Sequence, residues 1–194
     1  MGIKDSLKKA KEELFSKHFW KALRAEFLGS VLYVVFGCGC TVMWTKDVST
    51  KIFVCALSFG FIYVILLKIL GPISGGHFNP CITVALLCTR YMTIIRGIFY
   101  ILVQIIGCIC GAAILYGIIP HELHNDLGVT RVKSNCDNAR AFGIEFLATF
   151  SVIFSYFSTL ENRNNVLVPD HIICGLSLSL SQLFAVSLFK MHDR

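Results

Sequence analysis

The chain has 194 residues, 55% of them hydrophobic and 15% charged, with a mean hydropathy of +0.69 and a formal net charge of +6. That length suits one domain, and that composition excludes an ordinary soluble domain while matching a polytopic membrane protein. Seven of the 18 Lys and Arg precede Ala25, so the excess charge reads as a cytoplasmic N-terminus lying against anionic lipid. A nucleic-acid partner is disfavoured, because no soluble domain follows the basic end.

Residues 1–24 form the first expected unit, a cytoplasmic amphipathic segment. Ile3, Leu7, Ala10, Leu14 and Phe15 recur at helical spacing among Lys and Glu, the pattern of a helix at a membrane surface. The segment is too charged for a cleavable signal peptide. Residues 25–194 form the second unit, a membrane domain. Five long apolar segments lie at about 25–44, 52–70, 97–119, 141–160 and 171–189, each near the roughly 20 residues that a bilayer requires. Eight of the nine cysteines fall inside apolar segments, where Cys acts as a small hydrophobe, so no disulfide framework is expected.

The stretch between the second and third segments is different. Residues 71–77 are Gly-rich, and residues 78–88 (FNPCITVALLC) are apolar but long enough for only about half a bilayer. Irregular backbone at membrane depth is tolerated only where protein buries it or a watery cavity adjoins it. Residues 71–93 are therefore expected to form a re-entrant loop and a half-length helix. With the N-terminus inside, the cytoplasmic side holds 11 basic residues and the outside 7, in line with the positive-inside rule.

EFLGSVLYVVF from Glu26 and EFLATFSVIFS from Glu145 are two copies of one pattern, offset by 119 residues. The first crosses outward and the second inward, the inverted arrangement that builds transport paths at the midplane. In that setting Asn79-Pro80 reads as a helix start: Asn is a strong N-cap, and Pro suits the first turn. The positive end of the half-helix would then point into a cavity. Gly75 and Gly76 permit unusual φ values, and His77 can tie the loop by hydrogen bonds.

These residues resemble a family. SGGHFNPCITVA (Ser74–Ala85) is similar to the first Asn-Pro-Ala loop of the aquaporins, the major intrinsic proteins. AEFLGS at 25–30 resembles that family's first-helix motif, and GIEFLAT at 143–149 its fourth-helix motif. RGIFYILVQIIGCICGA at 96–112, with Gln104, resembles the third helix, and GLSLSLSQL at 175–183 the start of the fifth. The resemblance implies an all-α transmembrane, inverted-repeat helical bundle that passes water in single file. Asn79, Pro80 and Cys81 occupy the Asn-Pro-Ala position, with Cys81 replacing Ala. The resemblance further implies that Asn79 orients the passing water oxygen while the helix dipole repels hydronium.

The resemblance puts Phe59 and Gln182 in the narrow filter. Position alone favours a core or lipid-facing role for Phe59, whereas the motif register favours the filter. Gln182 stands where many water-selective members carry His, which leaves glycerol or urea passage open. Glu26 and Glu145 sit inside apolar spans, where an ionisable group is costly and usually functional. By resemblance they brace re-entrant loops, together with Ser74, Gly75, His77 and Gln104; the alternative is a snorkelling carboxylate at a helix end. Gly107 and Gly111 form a small-residue packing face.

No catalytic constellation, cofactor motif or metal-ligand set occurs. His121-Glu122-Leu123-His124 lacks the spacing of a zinc helix and reads as solvated loop. The family pattern would continue beyond Ser187 into a second Asn-Pro-Ala motif, a filter Arg and a sixth span. The sequence runs instead LFKMHDR to its last residue. The expected fold is thus five full spans plus one re-entrant half-helix, with the sixth span and second half-helix absent. Two functions compete: a passive channel for water and possible small neutral solutes such as glycerol, or a truncated, non-conducting member that modulates assembly or trafficking of intact subunits. The resemblance also implies a homotetramer and a multi-pass protein of the plasma membrane.

Overall fold

In a computed structural model of the chain, residues 11–42, 47–124, 137–161 and 168–190 are described here. Six α-helices account for most of them: α1 (Lys17–Gly39), α2 (Val48–Ser74), α3 (Pro80–Cys88), α4 (Ile94–Ile118), α5 (Asn138–Thr159) and α6 (Asp170–Lys190). A 3-10 turn (His121–Leu123) follows α4. Four helices start on a side-chain cap. Ser16 Oγ accepts from His18 N, Asp47 from Thr50 N, Asn79 from Cys81 N and Thr93 from Arg96 N, each taking up one of the amides that a helix start leaves unpaired.

Two boundaries differ from the sequence expectation. The first apolar helix begins at Lys17, so it runs through the expected division at 24/25. Its early residues Phe19, Ala22 and Leu23 are buried against Tyr100 of α4, so this end of the expected surface segment packs inside the bundle. The first ten residues of the expected surface segment lie outside the described ones. Helix α2 likewise continues through Gly71 and Pro72 to Ser74. A proline this close to a helix end removes a single backbone bond, and the helix stops only at Gly75, whose N–H closes onto the Gly71 carbonyl at 2.8 Å with φ at 97°. The irregular stretch thereby shrinks to Gly75–Asn79.

Among the described residues, α1, residues 49–74 of α2, α4 and α5 are long and apolar enough to cross a membrane. The part of α6 counted with them, Asp170–Val186, is shorter. Helix α3, nine residues long, extends about 14 Å, under half of a hydrocarbon core.

The helices assemble in two related halves. Helix α1 packs on α2 and α4, α5 on α6, and α2 on α6 across the middle, while α3 rests on α4 and α5. The 119-residue offset lays α1 onto α5 to within two residues at either end. Close approach relies on glycine. A Cβ at Gly107 would lie 2.7 Å from the Phe27 carbonyl and one at Gly111 2.7 Å from the Val31 carbonyl, so α4 seats its small-residue face directly on α1. Gly60 and Gly175 do the same at the α2–α6 crossing, where a Cβ on either would stand 2.6–2.7 Å from the other's carbonyl.

Around α3 a buried cluster collects Tyr63 and Leu66 from α2, Phe78 and Ile82 from the loop and half-helix, Tyr156 from α5 and Leu178 from α6. The outer surface is apolar. Phe142, Phe146, Phe150 and Phe154 stack one above the next along α5, all more than half exposed. At the start of α4, the Arg96 guanidinium donates to Glu13 Oε1 at 2.6 Å and lies over the Phe19 ring. Thr93 Oγ1 donates to the other Glu13 oxygen. Trp20 Nε1 donates to the Leu14 carbonyl at 2.8 Å, which ties the turn at 11–14 to α1.

Candidate functional site

The site is built on a carboxylate with no exposure. Glu26, on α1, is fully buried and surrounded by donors. Its Oε1 accepts from Ser74 Oγ at 2.6 Å and from the His77 amide at 3.1 Å. Its Oε2 accepts from the Phe78 amide and from Gln104 Nε2, both at 2.8 Å. A buried carboxylate is tolerable only when its lone pairs are engaged in this way. The loop needs such an anchor, because Gly75, Gly76 and Phe78 all have positive φ, at 97°, 75° and 45°. Phe78 is not a glycine, so that conformation is strained and must be held by its surroundings.

Three tyrosines complete the hold. Tyr100 of α4 donates to the Ser74 carbonyl at 2.8 Å, Tyr156 of α5 to the Gly75 carbonyl at 2.9 Å, and Tyr63 of α2 to the Gly76 carbonyl at 3.3 Å. Consecutive loop carbonyls are thus each satisfied by a different helix. His77 is buried between the Tyr100 and Tyr156 rings, with Nδ1 3.0 Å from Thr83 Oγ1. Gln104 also donates to Thr83 Oγ1, at 3.1 Å, so α3 and α4 share one polar network with the loop.

The loop delivers Asn79 to a cavity of about 240 Å³. Asn79 Oδ1 accepts the Cys81 amide at 2.8 Å, which leaves its NH2 group as a donor. Among the described residues of the first half of the chain, Tyr33 and Asn79 line this cavity. The opposing wall comes from α5 and α6: Glu145, Thr149, Ser181 and Gln182 supply its polar groups, and Ala148, Val152, Ile153, Leu178, Ala185 and Val186 its apolar ones. Ser181 and Ser151 hydroxyls pair at 2.6 Å behind it.

The structure therefore sorts the residues expected from sequence into two groups. Glu26, Ser74, Gly75, His77 and Gln104 gather around the loop; Asn79, Glu145 and Gln182 face one cavity. Pro80 opens α3 behind its cap. Glu145 is exposed and makes no hydrogen bond to the Gly75–Asn79 loop among the described residues. Phe59 is not among the residues lining the cavity. It packs on Tyr33 with ring centroids 5.2 Å apart, in a notch left by Gly37, where a Cβ would come within 2.4 Å of its ring. Cys81 is exposed beyond Asn79.

Sequence reasoning missed Tyr33, Tyr63, Tyr100, Tyr156 and Thr83. A helical register would have found several. Tyr33 is two turns after Glu26, Tyr156 three turns after Glu145 and Tyr100 one turn before Gln104, so each shares a face with a residue already singled out. Among the described residues no three His, Cys, Asp or Glu side chains gather as a metal site. His124, in the loop tetrad, has its Nε2 2.8 Å from the Ile119 carbonyl.

The arrangement resembles known proteins along most of its length. Over 188 residues the chain is 34% identical to aquaporin-4 of Mus musculus, a match that covers 95% of this chain and 58% of that protein. Over 177 residues it is 36% identical to aquaporin-5 of Homo sapiens, covering 91% of this chain and 66% of that protein. The chain thus spans little more than half the length of the aquaporin-4 relatives. Among solved structures, the aquaglyceroporin from Plasmodium falciparum superposes with a TM-score of 0.70 over 88% of this chain and 73% of that one, at 16% identity, a likeness of fold. The family model described as Major intrinsic protein matches residues 13–191, and with the buried Glu26 anchor and the Asn79-capped half-helix this makes the chain a member of the major intrinsic protein family.

Proposed function

We propose that this chain forms the wall of a passive transmembrane channel for water and small neutral solutes. The observation that carries the reading is Asn79. It caps a half-length helix, keeps an amide donor uncommitted, and opens on a cavity whose facing wall carries Glu145, Thr149, Ser181 and Gln182. Solute would exchange its hydration shell for hydrogen bonds at Asn79 and at the polar groups of the facing wall, and the positive end of α3 would oppose cations. No covalent step is involved, and the osmotic or concentration gradient supplies the driving force. The expected setting is the plasma membrane, with a cytoplasmic N-terminus and a tetramer of like subunits.

The test is the shrinkage rate of proteoliposomes carrying the purified chain under an osmotic step. A rate well above that of empty vesicles, lost in Asn79→Asp, supports the channel. A rate equal to that of empty vesicles refutes it for this chain.

A further inference from the structure

Four of the six tyrosines surround the loop and its cavity, and their hydroxyls divide unequally. Those of Tyr63, Tyr100 and Tyr156 each end on a loop carbonyl. Tyr33 lines the cavity, and its hydroxyl has no hydrogen-bond partner among the described residues. Nor is that oxygen sealed inside protein. Tyr33 is half-buried, and among the described residues the buried side-chain atom left without a partner is Ser30 Oγ. An uncommitted phenol on a cavity wall keeps its donor and acceptor capacity for whatever enters.

The placement of the ring is specified. Phe59 backs it from α2 and Tyr63 meets it edge-on at 6.4 Å. Gly37, one turn further along α1, makes the room that lets Phe59 reach it. The aromatic expected from sequence at the narrow point thus acts as a support, and the aromatic that meets the cavity is Tyr33.

The cavity holds about 240 Å³, and its hydrogen-bonding groups act on whatever occupies it. On the wall formed by the first half of the chain, the two stations are Tyr33 and Asn79, and both carry polar tips. We infer that Tyr33 is a specificity-determining residue of this cavity, its hydroxyl acting with the Asn79 amide to favour small neutral solutes that carry several hydrogen-bonding groups, such as short polyols and urea. A water molecule needs one station at a time, whereas a polyol engages two together and loses more when one is removed. The inference rests on the channel reading above and adds the residue and the solute class.

The experiment uses proteoliposomes of the full chain, wild type and Tyr33→Phe, with stopped-flow measurement of water, glycerol and urea permeability and thermal unfolding in the same detergent. The wild type is expected to pass glycerol or urea as well as water. Tyr33→Phe is expected to lower the ratio of polyol or urea to water permeability at least about threefold, the effect of losing one neutral hydrogen bond, with unchanged thermal stability. A wild type that passes water alone overturns the solute class, and an unchanged ratio in Tyr33→Phe overturns the role of Tyr33; in both cases the channel reading stands. A loss of stability in Tyr33→Phe also overturns it, by showing that the hydroxyl is engaged in the fold. A wild type that passes nothing fails the channel reading itself, and the inference falls with it.

Discussion

Glu26 accepts the Phe78 amide at 2.8 Å across 52 residues of sequence. The pairing holds a bulky, non-glycine residue at φ 45°, and the same carboxylate takes three further donors. The loop conformation is therefore imposed by a side chain on another helix. Glu26→Gln keeps the shape but turns an NH2 group toward donors, leaving buried amides unpaired. It is expected to destabilise the fold by about 3 kcal/mol or more, measured by thermal or denaturant unfolding in detergent.

The tyrosine hydroxyls allow a matched set of single-atom deletions. Tyr100→Phe and Tyr156→Phe each remove a bond to a loop carbonyl and leave that carbonyl unpaired. Each should cost about 1–2 kcal/mol, while Tyr33→Phe should cost close to nothing. Equal losses in all three variants would contradict the hydrogen-bond assignment.

Glycine substitutions should separate crossings from open faces. Gly60→Ala drives a methyl to within 2.6 Å of the Gly175 carbonyl, which backbone cannot readily yield. A loss of about 2 kcal/mol or more is expected from the overpacking. At Gly143, inside α5, a Cβ meets nothing within 4 Å, so Gly143→Ala should gain about 0.5–1 kcal/mol from helix propensity. Unfolding midpoints of the two variants in one detergent give the comparison.

Glu13 and Arg96 are joined by an ion pair whose side chains keep only 13% and 22% of their exposure. The pair clamps the turn before α1 to the start of α4. A double-mutant cycle with Glu13→Gln and Arg96→Gln is expected to return a coupling of about 1–3 kcal/mol. Coupling near zero would mean that the contact is no stronger than a solvated surface pair.

Cys81 is exposed one residue beyond Pro80, and Cys40 and Cys88 are also exposed. Only Cys81 adjoins the Asn79 cap. A mercurial should reduce water flux through the chain, Cys81→Ala should lose that sensitivity, and Cys88→Ala should retain it. Inhibition that persists in Cys81→Ala places the reactive thiol elsewhere.

Much of the architecture was legible because it is written in local pattern. Hydropathy marked the long helices, and the brevity of 80–88 marked the half-helix. Asn79-Pro80 declared its start, since a cap and an N1 proline act within one turn. Glu26 and Gln104 stood out because charge and amide are rare in apolar spans. What stayed hidden depends on contacts between distant segments. The helical start at Lys17 is favoured by burial of Phe19 against Tyr100, and the reach of α2 through Pro72 by the Gly75 cap. The roles of Tyr33 and Phe59 could not be separated by period alone. Each sits on an inward face, and only the notch at Gly37 decides which ring meets the cavity and which one backs it.

The three carbonyls of Ser74, Gly75 and Gly76 have a consequence for the order in which the protein is made. Their partners are Tyr100, Tyr156 and Tyr63, and the Gly75 bond spans 81 residues. During synthesis the loop emerges with Glu26 and Tyr63 already available, and Tyr100 follows soon after. Tyr156 arrives only when α5 has been translated. At a typical rate of about 5–20 residues per second, the Gly75 carbonyl waits at least about four seconds for its donor. Maturation of the loop is thus tied to insertion of the second half. A nascent chain arrested before α5 should carry the Glu26 ties yet leave its half-helix loosely seated.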